Sequence, residues 1–204
     1  MDLRHATGAD VRRRARLGEL TGPTPGLALG YVQANLVVVP RDLAFDFLLF
    51  CQRNPKPCPL LDVTEPGSAE PRLVAPGADL RDDLPRYRVY RHGELVDEPT
   101  SLRAWWRDDL VGFLLGCSFT FESALLQAGV PVHFGDPAAI GVRDLGRPDF
   151  GDPVEVRTGE VPVFWACGVT PQAVATEARP PLLLTHKPGH MFVTDLRDTD
   201  LEGE

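Results

Sequence analysis

The first helical alternation of polar and apolar positions runs from Thr7 to about Glu19. Thr7 or Asp10 can cap it, because either side chain accepts from first-turn amides. Gly22-Pro23-Thr24-Pro25-Gly26 is dense in helix and strand breakers and reads as a loop. Leu36-Val37-Val38-Val39 reads as a short buried element. Pro40 suits a helix start, and Leu43, Phe47 and Phe50, with Ala44 and Leu48, carry helical spacing to Cys51. The prolines at 55, 57 and 59 remove donors and fix φ, so Asn54–Pro59 is not helix. Leu60–Val63 then predicts a strand and residues 64–85 a loop. Arg86–Arg91 and Glu94–Val96 predict a hairpin about His92-Gly93.

Ser101 opens a stretch with Trp105, Leu110 and Leu114 that predicts a helix to about Gly116, with a second over Phe121–Gln127 stopping at Gly129. Beyond Pro131, short strands are expected at 154–156, 161–167, 182–186 and 191–194. Thr170-Pro171 supplies a cap and first position for a short helix through Glu177. Helices and strands mix along the chain, so the expected class is α/β in the mixed α+β sense: a mixed sheet with helices packed on it.

The chain has 204 residues, room for one large or two small domains. The expectation is one compact unit over 1–204, with sub-lobes 1–116 and 117–204 packed together. A net charge of −8 argues against nucleic acid as a partner, and Arg12-Arg13-Arg14 with Arg16 reads as a solvated helix face. No apolar run approaches the roughly 18 residues of a membrane span, and Met1–Arg16 lacks an apolar leader core. The expected location is cytoplasmic, away from membranes. Cys51, Cys58, Cys117 and Cys167 are then thiols, and their spacing fits no zinc ribbon.

Polar and thiol residues at chain-direction changes are the candidates for chemistry. Gln33 and Asn35 share a face if extended, and either grip a polar ligand or satisfy loop backbone groups. The prolines around Cys58 present a rigid loop, or bury a structural thiol. Cys117, Ser118 and Glu122 gather at a helix junction; Glu122 suits a general acid or base, or the group caps a helix. Cys167-Gly168 leads from a strand into the helix start at Thr170, where free amides favour anions and a lowered thiol pKa, or simply make a tight turn. His186 and His190 flank Pro188-Gly189, which defeats a helical metal pair; acid/base or hydrogen-bonding roles are preferred and no metal is expected. Asn35, Cys117, Glu122, Cys167 and His186 are expected to converge on one cleft.

Together these strings resemble the D-glutamate cyclase family, whose bacterial members carry a hydro-lyase label. The resemblance rests on Gly26-Leu-Ala-Leu-Gly-Tyr-Val-Gln-Ala-Asn35, on Phe47-Leu-Leu-Phe-Cys-Gln-Arg-Asn-Pro-Lys-Pro-Cys-Pro-Leu-Leu61 and on Asp83-Leu-Pro-Arg-Tyr-Arg-Val-Tyr90. It continues in Phe113-Leu-Leu-Gly-Cys-Ser-Phe119 with Phe121-Glu122, in Val161-Pro-Val-Phe-Trp-Ala-Cys-Gly-Val-Thr-Pro-Gln172, and in Thr185-His186 with Pro188-Gly-His-Met191. One departure stands out. Val130-Pro131 directly joins the helix ending at Ala128-Gly129 to His133-Phe-Gly-Asp-Pro137, where the family carries a substantial segment and part of a second lobe. The second lobe is therefore expected to be reduced.

The resemblance implies dehydration of D-glutamate to 5-oxo-D-proline by ring closure, on a small amino-acid or carboxylate substrate and with no cofactor. Glu122 with His186 or His190 would supply acid and base, and Cys117 and Cys167 would stand in the catalytic pocket. Gln33, Asn35, Asn54, Cys58, Ser118, Gly168 and Thr170 would bind substrate. Assembly as a homo-oligomer is left open. Two other readings remain: a non-catalytic binder of amino acids or carboxylates, and a Cys-dependent amidase or hydrolase.

Overall fold

The computed structural model describes residues 2–55, 57–117, 133–134, 136–148, 153, 155–164 and 170–201. Nine strands are described: β1 (Tyr31–Pro40), β2 (Leu60–Val63), β3 (Tyr87–Arg91), β4 (Glu94–Asp97), β5 (Leu110–Gly116), β6 (His133–Phe134), β7 (Val163–Phe164), β8 (Leu183–His186) and β9 (Phe192–Arg197). The described helices are α1 (Gly8–Arg16), α2 (Arg41–Arg53) and α3 (Thr170–Glu177), with short 3₁₀ turns besides. The mixed α+β expectation holds, and every described strand pair is antiparallel. Seven strands form one sheet in the order β2-β5-β1-β8-β3-β4, with β9 also on β1; β6 and β7 pair separately.

The central strand β1 is buried from Val32 to Pro40. One edge pairs with β5 from Ala34 opposite Gly116 to Pro40 opposite Leu110. The other edge is shared: β9 pairs at Tyr31, Gln33 and Ala34, and β8 at Val37 and Val38. The two partners therefore diverge opposite Asn35 and Leu36. Strands from both ends of the sequence meet here in one sheet.

Alternation along β1 gives the sheet two apolar faces. Leu36 and Val38 pack with Leu84, Tyr87, Val89, Leu114 and Leu184. Val37 and Val39 pack with Phe47 and Cys51 of α2, Val111, Phe113, Leu115 and Ala175 of α3. Phe47 meets Phe113 edge to face, with ring centroids 4.9 Å apart. Residues 64–86 lack helix and strand, yet they contribute Val74, Ala75, Ala78, Leu80 and Leu84 to the first face. Buried Asp83 anchors them, accepting from Arg16 at 2.6 Å and from the Asp79 amide at 2.7 Å.

Helix α1 opens with a reciprocal capping box between Thr7 and Asp10. It ends at Arg16, short of Glu19, because Gly18 takes φ +72° just beyond the cap. Its first turn sits against β9: a β-carbon on Gly8 would fall 2.0 Å from the Thr194 carbonyl oxygen, so only glycine permits this approach. Buried Arg12 then donates to both Asp195 carboxylate oxygens at 2.9 Å. Pro40 closes β1 and precedes α2, one position earlier than a helical first residue.

Three expectations need correction. Arg12 is not on a solvated face; it is buried against β9, donating to the Val193 carbonyl and to Asp195. Leu110–Gly116 is a strand, not the end of a helix. It is buried on both faces, so its apolar run carries no period of either kind, and Gly112 and Gly116 let Thr64 and Pro59 approach the backbone. Residues 155–156 form no strand; they are exposed and have no face to bury. The strands at 60–63 and 183–186, the hairpin at His92-Gly93 and the helix from Thr170 to Glu177 match expectation. The helix expected over 121–127 lies outside the described residues.

Candidate functional site

Of the described candidates, Gln33, Asn35, Cys117 and His186 meet on β1 between Gln33 and Leu36, and the His190 turn is tied to them through Thr24. Gln33 is buried; its Oε1 accepts from Thr24 Oγ1 at 2.8 Å and its Nε2 donates to the Thr24 carbonyl at 3.0 Å. These bonds pin the Gly22–Gly26 loop to the sheet, the backbone-satisfying role open to Gln33. The loop reaches the turn before β9, because Thr24 N donates to the Gly189 carbonyl and Met191 N donates to Thr24 Oγ1. His190 belongs to that turn. Its Nδ1 lies 3.0 Å from the Pro188 carbonyl, to which it donates, leaving Nε2 as the bare nitrogen. Partial burial lowers the His190 pKa, with Pro188 and Thr21 backbone contacts opposing and Lys187 and Arg86 reinforcing.

His186 is fully buried. Leu36 N–H donates to His186 Nδ1 at 3.0 Å. An amide can only donate, so Nδ1 is bare and the ring proton sits on Nε2. Gln172 Nε2 of α3 lies 2.6 Å from the same nitrogen and 3.3 Å from the His186 carbonyl. The ring thus fills the gap in the ladder where β9 and β8 diverge, and ties α3 to it. Burial pushes the His186 pKa down to about 3; the Leu36 backbone opposes the shift, and His190 and Arg88 add to it. At neutral pH this is an uncharged positioning group.

Asn35 is fully buried on the same face as Gln33, with Nδ2 3.3 Å from the Leu115 carbonyl and 3.2 Å from that of Gly116. Among the described residues its Oδ1 has no hydrogen-bond partner. Cys117 follows directly after β5, buried, its N–H donating to the Gln33 carbonyl at 3.1 Å. The proline loop arrives from the same side, where Gly116 N donates to the Pro59 carbonyl at 2.8 Å. Within that loop Asn54 caps α2, donating to the Phe50 carbonyl at 2.8 Å. Cys58 is buried beside Cys51; burial raises both thiols, Cys51 to about 12 with Cys58 contributing.

Asn35, Gln33, Cys117, His186 and the His190 turn are therefore joined through one stretch of strand. Asn54 and Cys58 sit on the flanking loop, the Asn54 Nδ2 bonded to α2 and the Cys58 thiol beside Cys51. Thr170 begins α3. Glu122, Ser118, Cys167 and Gly168 lie outside the described residues. Among the described residues no group of three or more His, Cys, Asp or Glu side chains is placed to hold a metal ion, and no helix is long and apolar enough to cross a membrane. Thr24 is a member that sequence reasoning left off the site, and Gln172, expected there only as the end of the carboxylate-binding helix start, instead turns its side chain to His186. Their partners lie 9 and 14 positions away, across a turn or between helix and strand, with no local signal to announce them.

Comparison with known proteins places this site in context. The sequence model of D-glutamate cyclase matches residues 127–195. A protein named "Putative hydro-lyase" from Stutzerimonas stutzeri (strain A1501) is 52% identical, over 97% of this chain and 97% of its own length. The chain belongs to the D-glutamate cyclase family. A relative of the same "Putative hydro-lyase" designation from Geobacillus kaustophilus (strain HTA426) is 51% identical over 94% of this chain and 95% of its own. "Putative hydro-lyase YcsI" of Bacillus subtilis (strain 168) is 48% identical over 94% and 97%. The family match takes in α3, His186 and His190, the part of the hub built from the second half of the sequence. The alignment with the Stutzerimonas relative spans 256 positions, whereas 97% of 204 residues is about 198, so about 58 positions of it have no counterpart in this chain.

Proposed function

We propose that this member of the hydro-lyase family converts D-glutamate to 5-oxo-D-proline and water by intramolecular ring closure. The observation that carries the reading is the gathering, on one buried stretch of β1, of polar residues from four separate segments in a chain of this family. The α-amine nitrogen attacks the γ-carboxyl carbon, the N–C bond forms and a C–O bond breaks. Two of the three ammonium protons end on the departing oxygen, which leaves as water, and the third stays on the lactam nitrogen. No electrons are exchanged with a carrier. Holding amine and γ-carbon together can supply up to roughly 7–11 kcal/mol of the barrier reduction.

The residues divide these tasks. Glu122 and His190 form the acid/base pair, since His190 carries a bare Nε2 whereas His186 spends its bare nitrogen on Leu36 and Gln172. His186 positions the hub. Thr170 to Gln172 at the start of α3, with Gly168 just before them in sequence, bind a substrate carboxylate, and Asn35 orients the amine end. Cys117, whose N–H meets Gln33, and Cys167 are the remaining catalytic candidates. The raised Cys58 and Cys51 thiols speak against nucleophilic use of that pair. Proton NMR of the purified chain with D- and L-glutamate tests the reading: 5-oxoproline appears from the D-isomer, and its absence from both refutes it. The second reading, a binder of amino acids or small carboxylates, is favoured by the roughly 58 positions present in relatives and absent here. It predicts saturable binding of glutamate or 5-oxoproline without turnover.

A further inference from the structure

Asn35 Oδ1 is a buried acceptor with no hydrogen-bond partner among the described residues. The orientation of the carboxamide is dictated by its surroundings. Nδ2 faces the carbonyls of Leu115 and Gly116; turning the group over would set Oδ1 against two other acceptors. Oδ1 therefore lies away from β5. On that side β9 last pairs at Ala34 and β8 first pairs at Val37, and the interruption is bridged at Leu36 by the His186 ring rather than by a backbone donor to Asn35.

The side-chain and backbone donors described around this stretch of β1 have other acceptors: Leu36 N–H and Gln172 Nε2 go to His186, and Thr24 Oγ1 goes to Gln33. Nor does packing require a polar residue at this position. Val37 and Val39, two and four positions on, fill the same face of the same strand with hydrocarbon. A buried acceptor left unmade is costly, and an apolar side chain would remove the cost.

We propose that Asn35 Oδ1 is the acceptor for an N–H group of the ligand, holding the substrate's α-amine and then the lactam N–H of the product. This rests on the cyclisation reading above. An acceptor without a donor function selects against oxygen at that place, so it distinguishes an amino acid from the matching keto acid. The nitrogen keeps one proton throughout the reaction. An acceptor on that proton turns the nitrogen lone pair away from Asn35, free for the γ-carbon. Asn35 is thus assigned the recognition of the reacting nitrogen.

The test compares two rings by titration calorimetry on the full chain. One is 5-oxo-D-proline; the other is 3-oxocyclopentane-1-carboxylate, in which a methylene replaces the lactam N–H. The lactam is expected to bind roughly 10–100-fold tighter, with the preference falling to near unity in Asn35→Leu. Equal affinities in the unmodified protein overturn the proposal, as does a preference that survives in Asn35→Leu with an unchanged circular dichroism spectrum. Should Asn35→Leu not fold, carbon NMR of the unmodified protein decides: the Asn35 Cγ resonance moves with the lactam and not with the ketone, and identical responses overturn it. The pair 2-pyrrolidone and cyclopentanone separates recognition from reaction. An Asn35-dependent preference within that pair, with D-glutamate neither bound nor cyclised, upholds the acceptor and refutes the cyclase reading. Unchanged kcat and KM for D-glutamate in Asn35→Leu do the reverse. Failure of every probe to bind overturns both.

Discussion

Acidification tests the assignment of His186 as an uncharged strut. In the unfolded chain its imidazole has the ordinary value of 6.5, and in the fold burial holds it at about 3. Between those values the unfolded chain binds a proton that the folded protein refuses, so stability rises with pH through this window and falls as pH drops below 6.5. The slope is half its limit at 6.5 and fades within about a unit above it. One proton gives a limiting slope of about 1.4 kcal/mol per pH unit, so moving to pH 5 removes about 2 kcal/mol. His190, also lowered but only half-buried, acts with the same sign and a smaller share. The carboxylates held below their usual range, Asp79 beside Arg81 and Glu98 beside Arg88, act only at lower pH, where their unfolded forms begin to protonate. The interval from pH 6.5 to 5 thus isolates the lowered histidines. Urea unfolding at pH 7.5, 6.5, 5.5 and 5 reads the effect. His186→Gln should start less stable by about 1–3 kcal/mol, since Leu36 N–H loses its acceptor, and should lose much less on acidification. Flat stability from pH 7 to 5 in the unmodified protein, or an imidazole NMR titration of His186 centred near 6.5, refutes the reasoning.

Three further outcomes are expected. Glu122→Gln keeps shape and removes the titrating proton, and should lower turnover of D-glutamate by roughly 10²–10⁴-fold; near-normal turnover removes Glu122 from the acid/base pair. Phe113→Ala, which empties a buried ring site against Phe47, should cost about 3–5 kcal/mol in urea unfolding. Cys51 and Cys58, buried and raised, should react with an aromatic disulfide reagent at pH 8 far more slowly in native protein than in urea, as followed by absorbance.

What could be read from sequence was what depends on near neighbours. Thr7 with Asp10, His92-Gly93 and Thr170-Pro171 announce their caps and turn within a few positions, and each element stands where its signal put it. Leu110–Gly116 failed for the opposite reason. A central strand buried on both sides shows a continuous apolar run, and only pairing with β1 and β2 decides its conformation. In the site, strand alternation correctly set Gln33 and Asn35 on one face. It could not reveal that Gln33 spends its carboxamide on Thr24 while Asn35 keeps an oxygen without a partner among the described residues. That difference depends on the neighbouring loop and strands, which meet β1 only in the folded chain.

The shared edge of β1 has a consequence in time. Val38 and Leu184 pair across 146 positions of sequence. At a synthesis rate of 5–20 residues per second, β1 waits roughly 7–30 s on the ribosome before its β8 partner exists. During that interval its apolar strand can pair with β5 alone, and its other edge offers open backbone groups to any passing strand. Productive assembly of the nascent chain then depends on shielding that edge until the last quarter has been made. A message that stops short of β8 and β9 would yield a sheet lacking two inner partners, a ready substrate for chaperones and proteases rather than a smaller working version of the protein.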